Sequence, residues 1–423
     1  MSGRRPAVVD LIRRTFVGGA SASCTRSLSG AERVRVGRER DSPADESVDE
    51  SGSHASSRVK LAPCARRCSD RRAMTESDPE PNPAHKRRPR YRGTHPRTFG
   101  EKYKELAPEK YPDLVEHVKQ RGMTPAGQHV SIMVDEVLAA LDAQPGERGV
   151  DGTLGYGGHA SRILERLVPG GRLLGLDVDP IELPKTEARL RKLISDDSAL
   201  LVRRTNFAGL RAALFEVGFG DGVDFVFVDL GVSSMQIDDP TRGFTFKVDA
   251  PLDMRMNPAR GVSAAQWLER VSIEELTRVL VDNSDEPFAE RIAREIDRRR
   301  GSLLTTRALA DAIREALPKQ VDEDEGLRST RRVFQAVRIE VNDELRVLDG
   351  LLRALPECLR PGGRAVVLTF HSGEDRRVKR AFEAGVKDGV YSTVNDDVIR
   401  ASPEEQRANP RSSSAKLRWA LRP

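Results

Sequence analysis

Three aspartates could share one task. Asp151, Asp177 and Asp229 each close an apolar segment and open a loop. The first loop reads Asp151-Gly152-Thr153-Leu154-Gly155-Tyr156-Gly157-Gly158-His159. Its glycines let the backbone turn tightly and let a ligand approach the main chain. A pyrophosphate site would place G-x-G-x-x-G at a helix N-terminus. Here an acid precedes the loop and the spacing is G-x-G-G, which suits a cationic or amino-acid-bearing ligand better. Asp177 terminates the next apolar run, where a carboxylate can accept hydrogen bonds from both hydroxyls of a ribose. Asp179 follows, then Pro180, and Asp179 is expected to cap the next helix. The third loop, Asp229-Leu230-Gly231-Val232-Ser233-Ser234-Met235-Gln236, offers a carboxylate, two hydroxyls and an amide for a nucleobase edge. One such acid is often a simple cap. Three in one cleft are harder to explain that way.

The elements that must position these loops alternate. Gly149-Val150-Asp151 ends a short strand, and a helix runs through Ile163–Leu167. A strand over Arg172–Asp177 and a helix over Glu182–Ile194 follow. Ala199–Val202 reads as a third strand and Phe207–Val217 as a third helix. The fourth strand, Asp224–Asp229, is apolar between its acids, as a parallel strand covered on both faces should be. Alternation of this kind predicts an open α/β sheet of parallel strands with right-handed crossovers. Ligands bind such sheets beyond the carboxyl ends of the strands, where all three acids fall. Together they suggest a site for S-adenosylmethionine. Near residue 250 the alternation stops. Helices are predicted over Ala264–Arg270, Ile273–Val281, Phe288–Arg300, Thr306–Leu317 and Val333–Leu355, with Asp322–Glu325 an exposed loop. Strand character returns at Arg364–Phe370 and again near Leu417–Leu421.

The chain has 423 residues and a net charge of +5, which invites a nucleic-acid reading. Its distribution qualifies that. Residues 1–100 carry 21 Lys+Arg against 12 Asp+Glu, whereas the rest carries 49 against 53. The head is rich in Ser, Arg, Pro and acids and lacks periodicity, so it cannot bury enough apolar surface to offset its chain entropy. Asp10 interrupts any secretory apolar core, and Glu32, Glu39 and Asp41 argue against a mitochondrial presequence. Met74 is an alternative start. No run approaches the ~18 apolar residues that span a bilayer. Cys24, Cys64 and Cys68 lie in the head and only Cys358 in the folded part, so a disulfide framework is excluded. Cys64-x₃-Cys68 has no second ligand pair, and no metal site is expected. A reducing cytoplasm fits. The run Lys86-Arg87-Arg88-Pro89-Arg90-Tyr91-Arg92, continued to Arg97, reads either as an arm that grips RNA phosphates or as a solvated charge run. Tyr91 between arginines could stack on a base.

Across residues 127–423 the chain resembles the bacterial small-subunit ribosomal RNA cytosine-N4 methyltransferase family (RsmH, formerly MraW). The resemblance rests on His129–Met133, Asp151–His159, Leu176–Pro180, Asp229–Gln236, Arg242–Phe246, Pro251–Met256, Phe334–Ile339, Phe370–Arg376 and Asn409–Arg411. Ser131 replaces a usual Pro, Gly373 a usual Leu, and Asp285-Glu286-Pro287-Phe288 a usual E-E-R-F, which removes an arginine from the helical insert. The resemblance implies a Rossmann-like class I methyltransferase sheet with an inserted helical domain. The divisions are a basic disordered extension (1–98), a linker or helical extension (99–126), core (127–254), substrate-recognising insertion (255–345) and core (346–423). It implies S-adenosylmethionine as cofactor, held by Gly157, Gly158, His159, Asp177, Phe207, Asp229 and Gln236, with Phe207 packed on adenine. The substrate is N4 of one cytidine in the decoding region of 16S rRNA, in a monomeric or homodimeric cytoplasmic enzyme. Asp229 is the catalytic candidate. Ser233, Ser234, Arg255, Arg338, His371, Glu374 and Arg376 are candidates for substrate contact, the arginines for phosphates. The competing readings are a methyltransferase for another RNA or a small amine, and a non-catalytic RNA-binding protein of the same fold.

Removing residues 1–97 should leave cofactor binding intact. If the arm grips RNA, the truncation also flattens the salt dependence of substrate binding. An unchanged slope on titration with subunits at several ionic strengths would make the segment inert.

Overall fold

A computed structural model describes residues 131–423. The basic arm, the head cysteines, Met74, the 99–126 segment and His129-Val130 lie outside the described residues. Helix α1 (Val134–Leu141) precedes strand β1 (Arg148–Asp151). Then come α2 (Gly158–Leu167), β2 (Arg172–Asp177), α3 (Leu183–Arg191), β3 (Leu200–Arg204), α4 (Leu210–Glu216) and β4 (Val223–Asp229). The short α5 (Ser234–Asp238) follows, capped by a reciprocal pair in which Ser233 Oγ accepts from Gln236 N–H and the Gln236 carbonyl accepts from Ser233 N–H.

The sheet order is β3-β2-β1-β4-β5-β7-β6, with β5 at Leu359–Thr369, β6 at Thr393–Val394 and β7 at Lys416–Leu421. Strands β1 to β5 are parallel, and β7 runs antiparallel between β5 and β6. The order reverses on either side of β1, a topological switch point. This is the expected α/β sheet, extended by an antiparallel edge. Registers align the acids: Asp151 pairs with Gly175 and Phe227, and Asp229 with Leu368. Gly149 carries no side chain because the Phe225 ring stands 1.9 Å from where its Cβ would be. One apolar layer packs on each face of the sheet, around Ile163, Leu173 and Phe227 on one side and Leu174, Val226 and Leu351 on the other.

Between β4 and β5 the chain forms α6 (Ala264–Arg270), α7 (Ile273–Ser284), α8 (Ala289–Arg298), α9 (Thr306–Ala316), α10 (Glu323–Asn342) and α11 (Glu344–Cys358). After β5 come α12 (Ser372–Lys387) and α13 (Pro403–Ala408). Helices α6 to α10 enclose a separate core around Leu268, Leu280, Ile292, Ile313 and Val337, which also takes in Leu252 and Met254. Side-chain caps set the helix starts: Ser263, Ser272, Thr305 and Asp322 each accept an N–H from the first turn.

Two expectations need correction. The single helix over Val333–Leu355 is two helices, because Asp343 adopts the left-handed conformation (φ 57°) between α10 and α11. Asp322–Glu325 is the cap and first turn of α10 rather than a loop. No described helix is long and apolar enough to cross a membrane.

The insertion is tied to the sheet by polar groups. Arg242 donates to Asp179 Oδ2 at 2.8 Å, and both side chains are buried. Its other nitrogen donates to the carbonyls of Arg255 (3.2 Å) and Met256 (2.8 Å). Asn342, at the end of α10, accepts from Met256 N–H at 2.7 Å and donates to the Met254 carbonyl at 2.7 Å. These bonds hold Met254 in a left-handed conformation (φ 61°) unusual for a bulky residue. Arg242→Met should destabilise the protein by about 3–5 kcal/mol, because it leaves a buried carboxylate unpaired. Urea unfolding measures it. The double variant with Asp179→Asn should recover part of the loss, and additive losses would show the two residues act separately.

Candidate active site

The carboxyl ends of β1, β2 and β4 open into a cavity of about 450 Å³ whose lining includes Asp151, Asp177 and Asp229. Residues 157–159, Phe207, Ser233, Gln236, Arg338, His371 and Glu374 line it as well. The strand registers therefore bring together residues far apart in sequence.

The glycine loop leaves β1 through Gly155 (φ 47°) and Gly157 (φ 84°). A Cβ at Gly157 would meet the Thr186 methyl at 3.0 Å and Leu190 at 3.2 Å, and one at Gly158 would meet Ser131 Oγ at 1.8 Å. The loop thus presents bare backbone to the cavity. Asp177 holds it: Oδ2 accepts from Gly155 N–H at 2.7 Å and Oδ1 from Asp179 N–H at 2.9 Å. Phe207 begins a 3-10 turn capped by Asn206, and its half-buried ring lines the wall.

His159 is buried. Its Nε2 meets the Ile132 carbonyl at 2.9 Å, its ring stands edge-on to Phe227 at 4.9 Å, and Nδ1 is 3.6 Å from Asp229 Oδ2. Burial lowers its pKa to about 4, so the ring is neutral and donates from Nε2. In that tautomer Nδ1 carries a lone pair and gives Asp229 neither a hydrogen bond nor a charge. Asp229 takes the Thr153 hydroxyl on its own N–H at 2.6 Å. Its Oδ1 is buried and has no hydrogen-bond partner among the described residues. Burial, then the charges of Asp151 and Glu374, push its pKa well above the carboxylate range. Burial, with Asp177 adding to it, raises Asp151 to about 7 against the pull of Thr153 N–H. Burial raises Asp177 too, partly offset by its N–H donors. Three carboxylates held in one cleft form a cavity that favours a cation.

On the far wall, Glu374 Oε2 accepts from Phe370 N–H at 2.8 Å and Oε1 lies 3.2 Å from His371 Nε2. Burial alone would raise Glu374, but His371, Phe370 N–H and Arg338 hold it below its ordinary value. Both His371 ring nitrogens are buried without an aligned partner among the described residues. Gly373 leaves room for that ring, since a Cβ there would stand 3.1 Å from Nδ1.

Several candidates have other work. Asp179 caps the turn that opens α3, as expected, its backbone carbonyl taking Leu183 N–H. Its Oδ1 accepts from Ile181 and Glu182 N–H, and its Oδ2 takes Arg242 and the Gln236 amide (2.9 Å). Both ends of the Gln236 amide are thus engaged within the protein. Ser233 is a helix cap, and Ser234 accepts from Arg411. Arg338 forks onto Glu344 at 2.8 and 2.9 Å, and Arg255 onto Asp253 at 2.8 and 2.7 Å, so neither guanidinium is a free phosphate ligand. Arg376 is exposed, 3.7 Å from Asp285, and does not line the cavity. Thr153, Asn206 and Asn342 were given no role from sequence. Thr153 lay inside a recognised motif, but nothing local marked Asn342.

The profile of the MraW methylase family matches residues 126–422. The "Ribosomal RNA small subunit methyltransferase H 1" of Lachnoclostridium phytofermentans is 50% identical over 346 residues, covering 80% of this chain and 94% of that relative. The protein of the same name from Agathobacter rectalis is 49% identical over 344 residues, covering 80% and 98%. "Ribosomal RNA small subunit methyltransferase H" of Thioalkalivibrio sulfidiphilus is 42% identical over 316 residues, covering 70% and 98%. The first two alignments are longer than the stretch matched by the family profile, so that likeness extends N-terminal to residue 126.

Protonated, Asp151 offers no charge to a cation. Affinity for S-adenosylmethionine should therefore fall as pH drops through about 7, by up to roughly tenfold per unit. S-adenosylhomocysteine, whose sulfur is uncharged, should change far less. Calorimetry with both ligands checks this, and parallel pH profiles would show that the acids do not sense the sulfonium.

Proposed function

The chain belongs to the MraW methylase family, and from that membership we propose that it methylates N4 of one cytidine in the decoding region of small-subunit (16S) rRNA. S-adenosylmethionine is its cofactor. The observation that carries the chemistry is the Asp229 carboxylate, 29% exposed in an acid-lined cleft, whose inner oxygen Oδ1 has no hydrogen-bond partner among the described residues.

The residues fit the cofactor. Gly157 and Gly158 give it main-chain contact, Asp177 faces its ribose, Phe207 its adenine, and the carboxylates its positive charge. Gln236 supports this wall through Ser233 and Asp179. When bound, S-adenosylmethionine supplies a methyl activated by a sulfonium.

The protein's task is to prepare the amine. The lone pair on cytosine N4 is delocalised into the ring. The Asp229 carboxylate accepts one N4 hydrogen, which localises the lone pair, and later takes the proton that methylation releases. A cation in the cleft favours the ionised form of Asp229. Once that charge is gone, burial, Asp151 and Glu374 raise its pKa again, so the carboxyl retains the proton. His371 and Glu374, across the cavity, hold the base edge. The base must leave its stack to reach this depth, and fixed orientation supplies much of the rate. The enzyme acts in the cytoplasm on the small ribosomal subunit, as a monomer or homodimer.

Asp229→Asn should lower turnover on unmethylated subunits by about 10²–10⁴-fold. Mass spectrometry of 16S rRNA from a deletion strain should show one N4 methyl lost, restored by the wild-type chain and not by the variant. Full turnover of Asp229→Asn with unchanged cofactor affinity would remove Asp229 from this role.

A further inference from the structure

A second cavity, also about 450 Å³, lies between the end of β3 and the insertion. It shares Val178, Thr205, Asn206, Met256 and Asn342 with the reaction cleft, so the two are continuous. Three arginines line it: Arg204 from the sheet side, and Arg255 and Arg260 from the segment leading into the insertion. Its one acidic lining residue, Asp343, is paired with Arg346. Arg255 is compensated by Asp253. Arg204 and Arg260 are both exposed, and neither has a carboxylate or side-chain hydrogen-bond partner among the described residues. The groove therefore carries two uncompensated guanidinium groups, one from the end of β3 and one from the segment leading into the insertion.

Its lining contains no aromatic ring on which a base could stack. Guanidinium groups bind phosphate oxygens in a planar, bidentate manner. A groove of this composition selects a phosphodiester backbone rather than a base. Continuity with the cleft places that backbone beside a nucleotide whose base is turned toward Asp229. We propose that Arg204 and Arg260 grip the RNA backbone next to the methylated cytidine, with Arg255 held by Asp253 as the fixed wall between them. This rests on the rRNA reading above and adds a binding subsite to it.

The test uses the full chain and unmethylated small subunits at several salt concentrations. Arg204→Ala/Arg260→Ala should raise KM roughly tenfold and leave kcat and S-adenosylmethionine affinity within twofold. The slope of log(kcat/KM) against log[salt] should become shallower by about 1, the loss of one to two phosphate contacts. Arg204→Lys/Arg260→Lys should keep most of the slope. Arg380→Ala/Arg400→Ala removes two exposed charges outside the groove and should leave the slope unchanged. An unaltered slope in the groove variant, or an equal loss in the control, overturns the proposal. Wild-type chain that transfers no methyl to subunits overturns the rRNA reading instead. The groove is then judged alone, from the salt slope of a single-stranded RNA oligonucleotide binding to the same variants.

Discussion

The buried Arg242–Asp179 ion pair is the constraint on which this molecule's geometry rests. Taking two charges out of water is unfavourable unless every remaining donor and acceptor is met. Here they are met from three directions. Asp179 receives Arg242 and Gln236 on one oxygen and the turn before α3 on the other. Arg242 passes on to the carbonyls of Arg255 and Met256. The ribose side of the cleft, the loop after β4 and the entrance to the insertion thus share one polar network. Such networks specify a single arrangement because each partial version leaves a charge unsatisfied.

That arrangement makes the acidic cleft possible. A switch point gathers the ends of β1, β2 and β4, but gathering carboxylates raises their mutual repulsion. The protein tolerates this by spreading the load on two of them: Asp177 is met by two N–H groups and Asp151 by Thr153 N–H. Of the three acids, Asp229 has a buried oxygen, Oδ1, with no hydrogen-bond partner within the described residues. The residual demand for positive charge is what a sulfonium answers.

Much of this was legible in the chain. Parallel strands leave a strong mark, apolar runs closed by an acid, and the acids fell where the registers put them. What was not legible had tertiary causes, save where a near neighbour in sequence occupies an arginine. Asp179 before Pro180 caps the turn into α3 as its position suggests, but only folding brings Arg242 to its other oxygen. Asp343 sits inside an amphipathic pattern that continues on both sides, so α10 and α11 read as one helix. Arg255 and Arg338 were read as phosphate ligands because their partners were overlooked. Asp253 lies two residues away and Glu344 six, and both spacings were available to inspection. Gln236 lines the cavity, but its amide serves the wall.

The join at Asp343 has a mechanical consequence. Two rigid rods meet there through a single residue, so the joint has only two soft torsions. At the other covalent crossing, Met254–Met256 is laced to α10 by Asn342 and held by Arg242. A body attached by a two-torsion pivot and a laced strap cannot slide across the sheet. Any rotation about that pivot carries Gln335, Arg338 and Asn342 with it, and so moves one wall of the reaction cleft.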